Sequence, residues 1–455
     1  MLDLRNGLKL SLQGALALLC VGGLSLAVAQ PSAVLNGERK LLAALPAATT
    51  TSVVPVHRVF DDLLSGALRE HPSVRSAQSQ ASGAKLDVDV AKWAFWPTVS
   101  VSTQRTDGQS SAQTSSTVSV QQPVWSGGAL TAKVAVTEKL DQASAQQVSV
   151  VQGELGLRLV DIWAALLDAE ANRQVTQRTL DVLTRYQDIM KRRVSAGLSS
   201  NVELRLLAVR VGRAQTDLAD AKVSLQIAAQ RMAQIVGAPV DSALPELLKP
   251  IAQERLAEWV RQQSWAAHAN RLDQHPAVRK AELDAAAAAD QLVVQKAERM
   301  PKLVLGYQRQ LGDLPVTTRD RSAWTLGLNY TPGAGLASFT QSAADSARLQ
   351  ARLEAVDTIR QEKREQLLLD WSALQREFDR RASLEATISS ASDVLASYER
   401  QYFGGLKSWL EVLNAVQELT QSELRLAQAG NATTLAYYRW RLRGGELPHQ
   451  TNWMQ

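Results

Sequence analysis

The chain has 455 residues, 45% hydrophobic but only 5% aromatic, with 50 basic against 45 acidic residues and a formal net charge of +5. The two signs are interspersed, and no basic patch interleaved with aromatics occurs, which argues against a nucleic-acid partner. The one cysteine, Cys20, and the scattered histidines at 57, 71, 268, 275 and 449 show no HExxH or other ligand spacing, so no metal, no cofactor and no enzyme site is expected.

Arg5 and Lys9 precede an apolar run from Leu10 to Val28, and Ala27-Val28-Ala29 has the small residues of a cleavage site. Residues 1–29 therefore read as a secretory signal peptide. Leu19, just before Cys20, departs from the small residue that a lipoprotein signal requires. Residues 30–56 are rich in Ala, Thr and Pro without a period and read as a flexible leader. No later run approaches the ~20 apolar residues of a spanning helix, so any membrane crossing must use strands.

A helical pattern runs from about His57 to Phe95, interrupted at His71-Pro72 and stopped before Pro97. The period then changes to two. Val99, Val101 and Thr103 alternate with Ser100, Ser102 and Gln104; after a polar loop, Val118 and Val120 alternate with Ser119 and Gln121. That predicts a hairpin over about 98–123, with one apolar and one polar face. From Gly128 to Pro239 there is no proline, and Leu159, Ile162, Trp163 and Leu166 keep helical spacing. The one break falls at Ala196-Gly197-Leu198-Ser199-Ser200, where Gly197 can end a helix and Ser199 or Ser200 can cap the next.

The whole pattern then returns. His71-Pro72 recurs as His275-Pro276 and Pro97 as Pro301, both at an offset of 204; Gly197 recurs as Gly405 at an offset of 208. A second hairpin is expected over about 302–331. Leu303, Leu305 and Tyr307 alternate with Val304, Gly306 and Gln308; Trp324, Leu326, Leu328 and Tyr330 alternate with Thr325, Gly327 and Asn329. The chain thus divides into a first repeat, 57–250, a second, 251–448, and a tail, 449–455.

At 1.5 Å per residue, a helix from 129 to 195 is roughly 100 Å long, and the shorter helices placed end to end nearly match it. Strands of about ten residues suit a tilted bilayer crossing. Four strands cannot close a barrel, and open edges are not tolerated in lipid, so more than one copy must share it; three copies would give about 12 strands. The fold class is mainly α with a small β part: a duplicated helix–hairpin–helix repeat whose helices would bundle into a cylinder about 100 Å tall.

This layout resembles the TolC-like outer-membrane efflux and secretion channels over about residues 57–446. Its most specific parts are Ala196-Gly197-Leu198-Ser199-Ser200-Asn201-Val202-Glu203-Leu204 and Gly404-Gly405-Leu406-Lys407-Ser408-Trp409-Leu410-Glu411-Val412-Leu413-Asn414. The resemblance implies a homotrimer with a 12-stranded outer-membrane barrel and a periplasmic helical barrel. It implies adaptor docking at the tip turns, namely Gly197, Leu198, Ser199, Gly405, Leu406 and Ser408. Glu411 and Asn414 match the pore constriction, and Tyr402, Lys407 and Glu203 match the latch. Asn414 stands where the family has an acid, and Lys407 where it has arginine, which weakens charge and bidentate pairing at the gate. The implied partners are outer-membrane lipid, a periplasmic membrane-fusion adaptor and an inner-membrane ABC transporter, or a proton-driven pump if the system is an efflux one. The string Ser408–Ala415 is most similar to the type I secretion branch that exports large adhesins.

Trp93, Phe95, Trp96 and Trp125 cluster where helix gives way to strand and read as a membrane-interface belt. Arg299-Met300 in the second repeat breaks the symmetry of that belt. The competing reading is a wholly periplasmic coiled-coil adaptor, which has no need of four strands of this length.

Overall fold

A computed structural model describes residues 58–107, 112–249, 253–262, 265, 272–312, 322–330 and 337–446. The expected signal peptide, leader and tail lie outside the described residues, as do Cys20, His57, His268 and His449. All described residues belong to one compact unit, Val53–Gln455.

The first repeat runs α1 (Arg58–Glu70), α2 (Pro72–Trp93), β1 (Thr98–Asp107), β2 (Ala112–Trp125), α3 (Ala129–Ser195) and α4 (Asn201–Val236). Short helical pieces follow at α5 (Leu244–Leu247), α6 (Gln253–Gln262) and a 3-10 turn, Leu272–Gln274. The second repeat is α7 (Pro276–Ala297), β3 (Lys302–Gly312), β4 (Ser322–Asn329), α8 (Ala337–Phe403) and α9 (Trp409–Arg443). The long helices α3 and α8 have 67 residues each, about 100 Å at 1.5 Å per residue.

The His-Pro pairs start helices. Pro72 and Pro276 take the first helical position, where a missing N–H costs nothing. His71 and His275 are the N-caps: Nδ1 accepts from the amide of Ser73 at 3.2 Å and of Ala277 at 3.1 Å. Burial first, then Lys363, lowers His275 to about 4 and keeps its imidazole the neutral acceptor that the cap needs.

Side by side, α3 packs against α2 and α7 in one half of its length and against α4 and α9 in the other, while α8 packs along α7 and α9. The helices therefore form a layer. At its waist, Phe60, Leu64, Leu159, Trp163, Leu166, Met232, Leu374 and Tyr438 make the main core. Phe60 stacks on Trp163 with ring centroids 4.0 Å apart, and Tyr438 meets both edge-on. The short elements between α4 and α7, unforeseen in the sequence, close this waist: Trp163 Nε1 donates to the Leu247 carbonyl at 3.2 Å.

The strands form one antiparallel sheet in the order β1-β2-β3-β4, so β2 and β3 join the two repeats and β1 and β4 are its edges. Val99 pairs with Val120, Val120 with Tyr307 and Tyr307 with Trp324; Val101–Val118 and Leu305–Leu326 continue the same face. The other face collects Ser100, Ser119, Gln308, Gly306, Thr325 and Gly327. A bulge between Pro123 and Trp125 brings Trp125 opposite Leu303, on the apolar side.

Candidate functional site: the helical tip and the exposed sheet

Both tip turns are built alike. In the first, Leu198 N donates to Arg193 O at 2.8 Å and Gly197 N to Val194 O at 3.0 Å; in the second, Leu406 N donates to Gln401 O at 2.9 Å and Gly405 N to Tyr402 O at 3.0 Å. These paired bonds are Schellman closures, which need a left-handed residue. Gly197 and Gly405 supply it at φ of 70° and 75°. Leu198 and Leu406 are left exposed at the extreme ends of the two turns, the latter 80% so.

The next helices begin with capping boxes. Glu203 N donates to Ser200 Oγ at 3.3 Å while Ser200 N donates to Glu203 Oε2 at 3.2 Å. Ser408 and Glu411 repeat the exchange at 3.4 and 2.9 Å. The sequence signal was the S-x-x-E spacing, present in both copies. Of the two serines offered as caps for α4, the structure selects Ser200; Ser199 instead turns inward to Tyr402, their oxygens 3.1 Å apart.

The candidate gate and latch residues find separate partners. Lys407 Nζ donates to Glu411 Oε1 at 2.6 Å and lies 4.6 Å from the Tyr398 ring. Donation from Lys407, then from the amide and hydroxyl of Ser408, holds the Glu411 carboxyl at about 2, and the same bond raises Lys407. Asn414 is exposed on the following turn. Tyr402 is buried against Trp409, 4.9 Å between centroids, and Glu203 serves its own cap. Tyr402, Lys407 and Glu203 are thus each engaged within the chain rather than with one another.

Sequence reasoning missed Arg193. Its Nε donates to Ser199 Oγ at 3.0 Å, and its guanidinium lies 5.3 Å from the Tyr402 ring and 5.4 Å from that of Phe403. It ties the first turn to the end of α8. Tyr186 was missed as well: it meets Trp409 edge-on at 5.2 Å and donates to Glu399, and burial raises its phenol. Leu183, Tyr186 and Met190 lie along one face of α3, and Tyr402 of α8 and Trp409, Val412 and Leu413 of α9 pack across from it.

At the other end, Trp93, Phe95, Trp96 and Trp125 are all exposed, with Trp93 and Trp96 at 5.7 Å. Gln122 Nε2 donates to the Phe95 carbonyl at 2.8 Å and fastens this corner to the strand. Large apolar side chains cover one sheet face without any cover of their own: Val101, Trp324, Leu326 and Leu328 are each about two-thirds exposed or more.

A family model described as outer membrane efflux protein matches residues 63–238, from α1 through the first hairpin and tip turn to the end of α4. The first repeat thus matches the outer membrane efflux proteins, and the chain as a whole is similar to TolC-like outer-membrane channels. Protein CyaE of Bordetella pertussis is 27% identical over 296 residues, 58% of each chain, so the alignment spans less than two-thirds of that relative. The outer membrane efflux protein BepC of Brucella suis is 24% identical over 421 residues, 88% of this chain and 89% of its own. The fold matches the outer membrane protein VceC of Vibrio cholerae with a TM-score of 0.70 at 17% identity, over 85% of this chain and 96% of that one. The matched family is one of outer membrane efflux proteins, channels rather than enzymes, and BepC and VceC are outer-membrane proteins by name. Among the described residues no helix is long and apolar enough to span a membrane.

Proposed function

We propose that three copies of this chain form a passive export duct, each contributing four strands to a 12-stranded barrel and its helices to a periplasmic tunnel. One observation carries the reading: a single sheet with an exposed apolar face, a small-polar opposite face and two edge strands, β1 and β4. Unpaired edges cannot face lipid, so β4 of one copy pairs with β1 of the next. The helix layer supports the same closure. Val202, Val209 and Val223 are more than half exposed along α4, with exposed Thr216 completing a heptad spacing, and Leu86, Val90 and Trp93 form a comparable row on α2. Mass measurement in mild detergent tests this directly; a stable membrane-inserted monomer overturns it.

In this reading Trp93, Phe95, Trp96 and Trp125 form the inner-leaflet belt. Gly197, Leu198, Ser199, Gly405, Leu406 and Ser408 present the adaptor-docking tips, and the two exposed leucines are their apolar contacts. Glu411 and Asn414 line the constriction, with the Lys407–Glu411 pair making each copy's contribution nearly neutral. Tyr402, Lys407 and Glu203 are the latch: Tyr402 joins the two turns through Ser199, while Lys407 and Glu203 bond within their own helix starts. The repeats divide near residue 250, and energy comes from an inner-membrane transporter through the adaptor.

The cargo is an unfolded protein, of the large-adhesin type. Ser, Thr, Gln and Gly on the polar sheet face offer hydrogen bonds without a pocket, which suits an extended polypeptide. Small-molecule efflux is the second reading, favoured by the similarity to BepC, an efflux protein by name. Deleting the gene separates them: loss of a large surface protein with unchanged drug susceptibility supports secretion, and the reverse supports efflux.

A further inference from the structure

The apolar face of the sheet carries two arginines at equivalent places in the repeats. Arg105 on β1 and Arg309 on β3 each stand seven residues beyond the first residue of their strand, Thr98 and Lys302. Both are exposed, and both share the parity of the apolar set: Arg105 follows Val99 and Val101, while Arg309 lies opposite Val118 and Ser322. Lys302 has the opposite parity and sits at the other end of the strand.

Their height is as informative as their face. Seven residues cover about 23 Å of strand at ~3.3 Å each. A tilt of about 40° leaves ~18 Å of rise, near the top of an apolar band ~25 Å tall. The arginine stem can span the remainder and set the guanidinium at headgroup level. The neighbours change character at the same level. Leu303–Leu328 and Leu305–Leu326 give way to Tyr307–Trp324, whose centroids lie 4.8 Å apart, and then to Arg309–Ser322. On the first hairpin Val99–Val120 and Val101–Val118 give way to Thr103–Ser116 and then Arg105–Thr114, with Asp107 at the next position of that parity. Apolar core, aromatic pair and arginine on the second hairpin, and apolar core, hydroxyl pair and arginine on the first, thus follow the order of acyl chains, interface and phosphates.

We propose that Arg105 and Arg309 are binding sites for the phosphate groups of a phosphorylated glycolipid in the outer leaflet. The inference rests on the membrane reading of the sheet given above. A guanidinium fork matches a phosphate with two parallel N–H···O bonds. The Tyr307–Trp324 pair offers the adjoining sugar and acyl surface an aromatic wall. The two arginines are two strands apart and face Thr114 and Val118 of β2, about 16 Å from each other, so each takes its own phosphate.

Native mass spectrometry of the full chain in mild detergent tests the site, with bis-phosphorylated lipid A and its dephosphorylated counterpart as probes. The wild type should retain the phosphorylated lipid about tenfold more tightly, and R105Q/R309Q should lose that preference. R105K/R309K should retain part of it, and each single glutamine variant should lose about half of the bound lipid at saturation. Equal retention of both probes by the wild type, or a preference surviving in R105Q/R309Q, overturns the proposal. Failure of the membrane reading itself shows differently: the chain would fractionate as a soluble periplasmic protein and carry neither lipid.

Discussion

Asp61 is a carboxyl buried at the waist with no cation bonded to it. It lies on α1, accepts a hydrogen bond from Tyr438 Oη at 2.8 Å, and is 8% exposed. Arg441 is nearby but bonds Glu446 at 2.9 Å and Tyr437 at 3.0 Å. Burial pushes the Asp61 carboxyl from its ordinary 3.8 up to about 7, against the opposing pull of Tyr438 and Arg441. The folded chain therefore holds this proton more tightly than the unfolded chain, so stability is full below about pH 4 and is lost as pH rises through 7. At 1.36 kcal/mol per unit, the linkage integral between pH 5 and pH 8 is roughly 2.5 kcal/mol per subunit, lost on the alkaline side. Asp61→Asn keeps the shape and the acceptor for Tyr438 but cannot ionise. The variant should melt at nearly the same temperature at pH 5 and pH 8, and above the wild type at pH 8, as followed by circular dichroism in detergent. A variant destabilised equally at both values, with the wild-type slope unchanged, would mean that Asp61 is an ionised partner of Arg441 and would refute the reasoning.

Trp163→Ala removes a fully buried indole, its stack on Phe60 and its bond to Leu247, and should cost about 3–5 kcal/mol in thermal or denaturant unfolding. Gly405→Val meets no steric neighbour but forces a β-branched residue to φ 75°, a cost of about 1–2 kcal/mol confined to the tip. Cross-linking to the adaptor should fall while trimers remain in the membrane; loss of insertion would place that turn elsewhere. Glu411→Ala breaks the Lys407 bond and the capping box together and should raise basal conductance in planar bilayers, with unchanged conductance removing Glu411 from the gate.

The element order was legible because each element depends on local rules. Prolines and His-Pro caps bound the helices, period-two alternation marked the strands, and the glycine turns announced the tips through backbone conformations that few other residues adopt. The two S-x-x-E boxes were equally local and were there to be read; their acids had been assigned to the gate and latch by resemblance alone. Burial of the waist, by contrast, was hidden. Phe60, Trp163 and Tyr438 stand far apart in the chain, and no periodicity reveals that one ring stacks on another.

What the sequence by itself determined is the repeat, the alternation and the breaks, since these follow from backbone sterics and from the polarity of near neighbours. Only the tertiary structure decided that β2 and β3 unite the hairpins into one sheet and bring Arg105 and Arg309 onto its apolar face. Only it decided that Arg193 reaches across to Tyr402, and that Asp61 loses its water to the aromatic rings around it. Strand register, ring stacking and desolvation depend on groups brought together across hundreds of residues, and it is their distance in space that sets those energies.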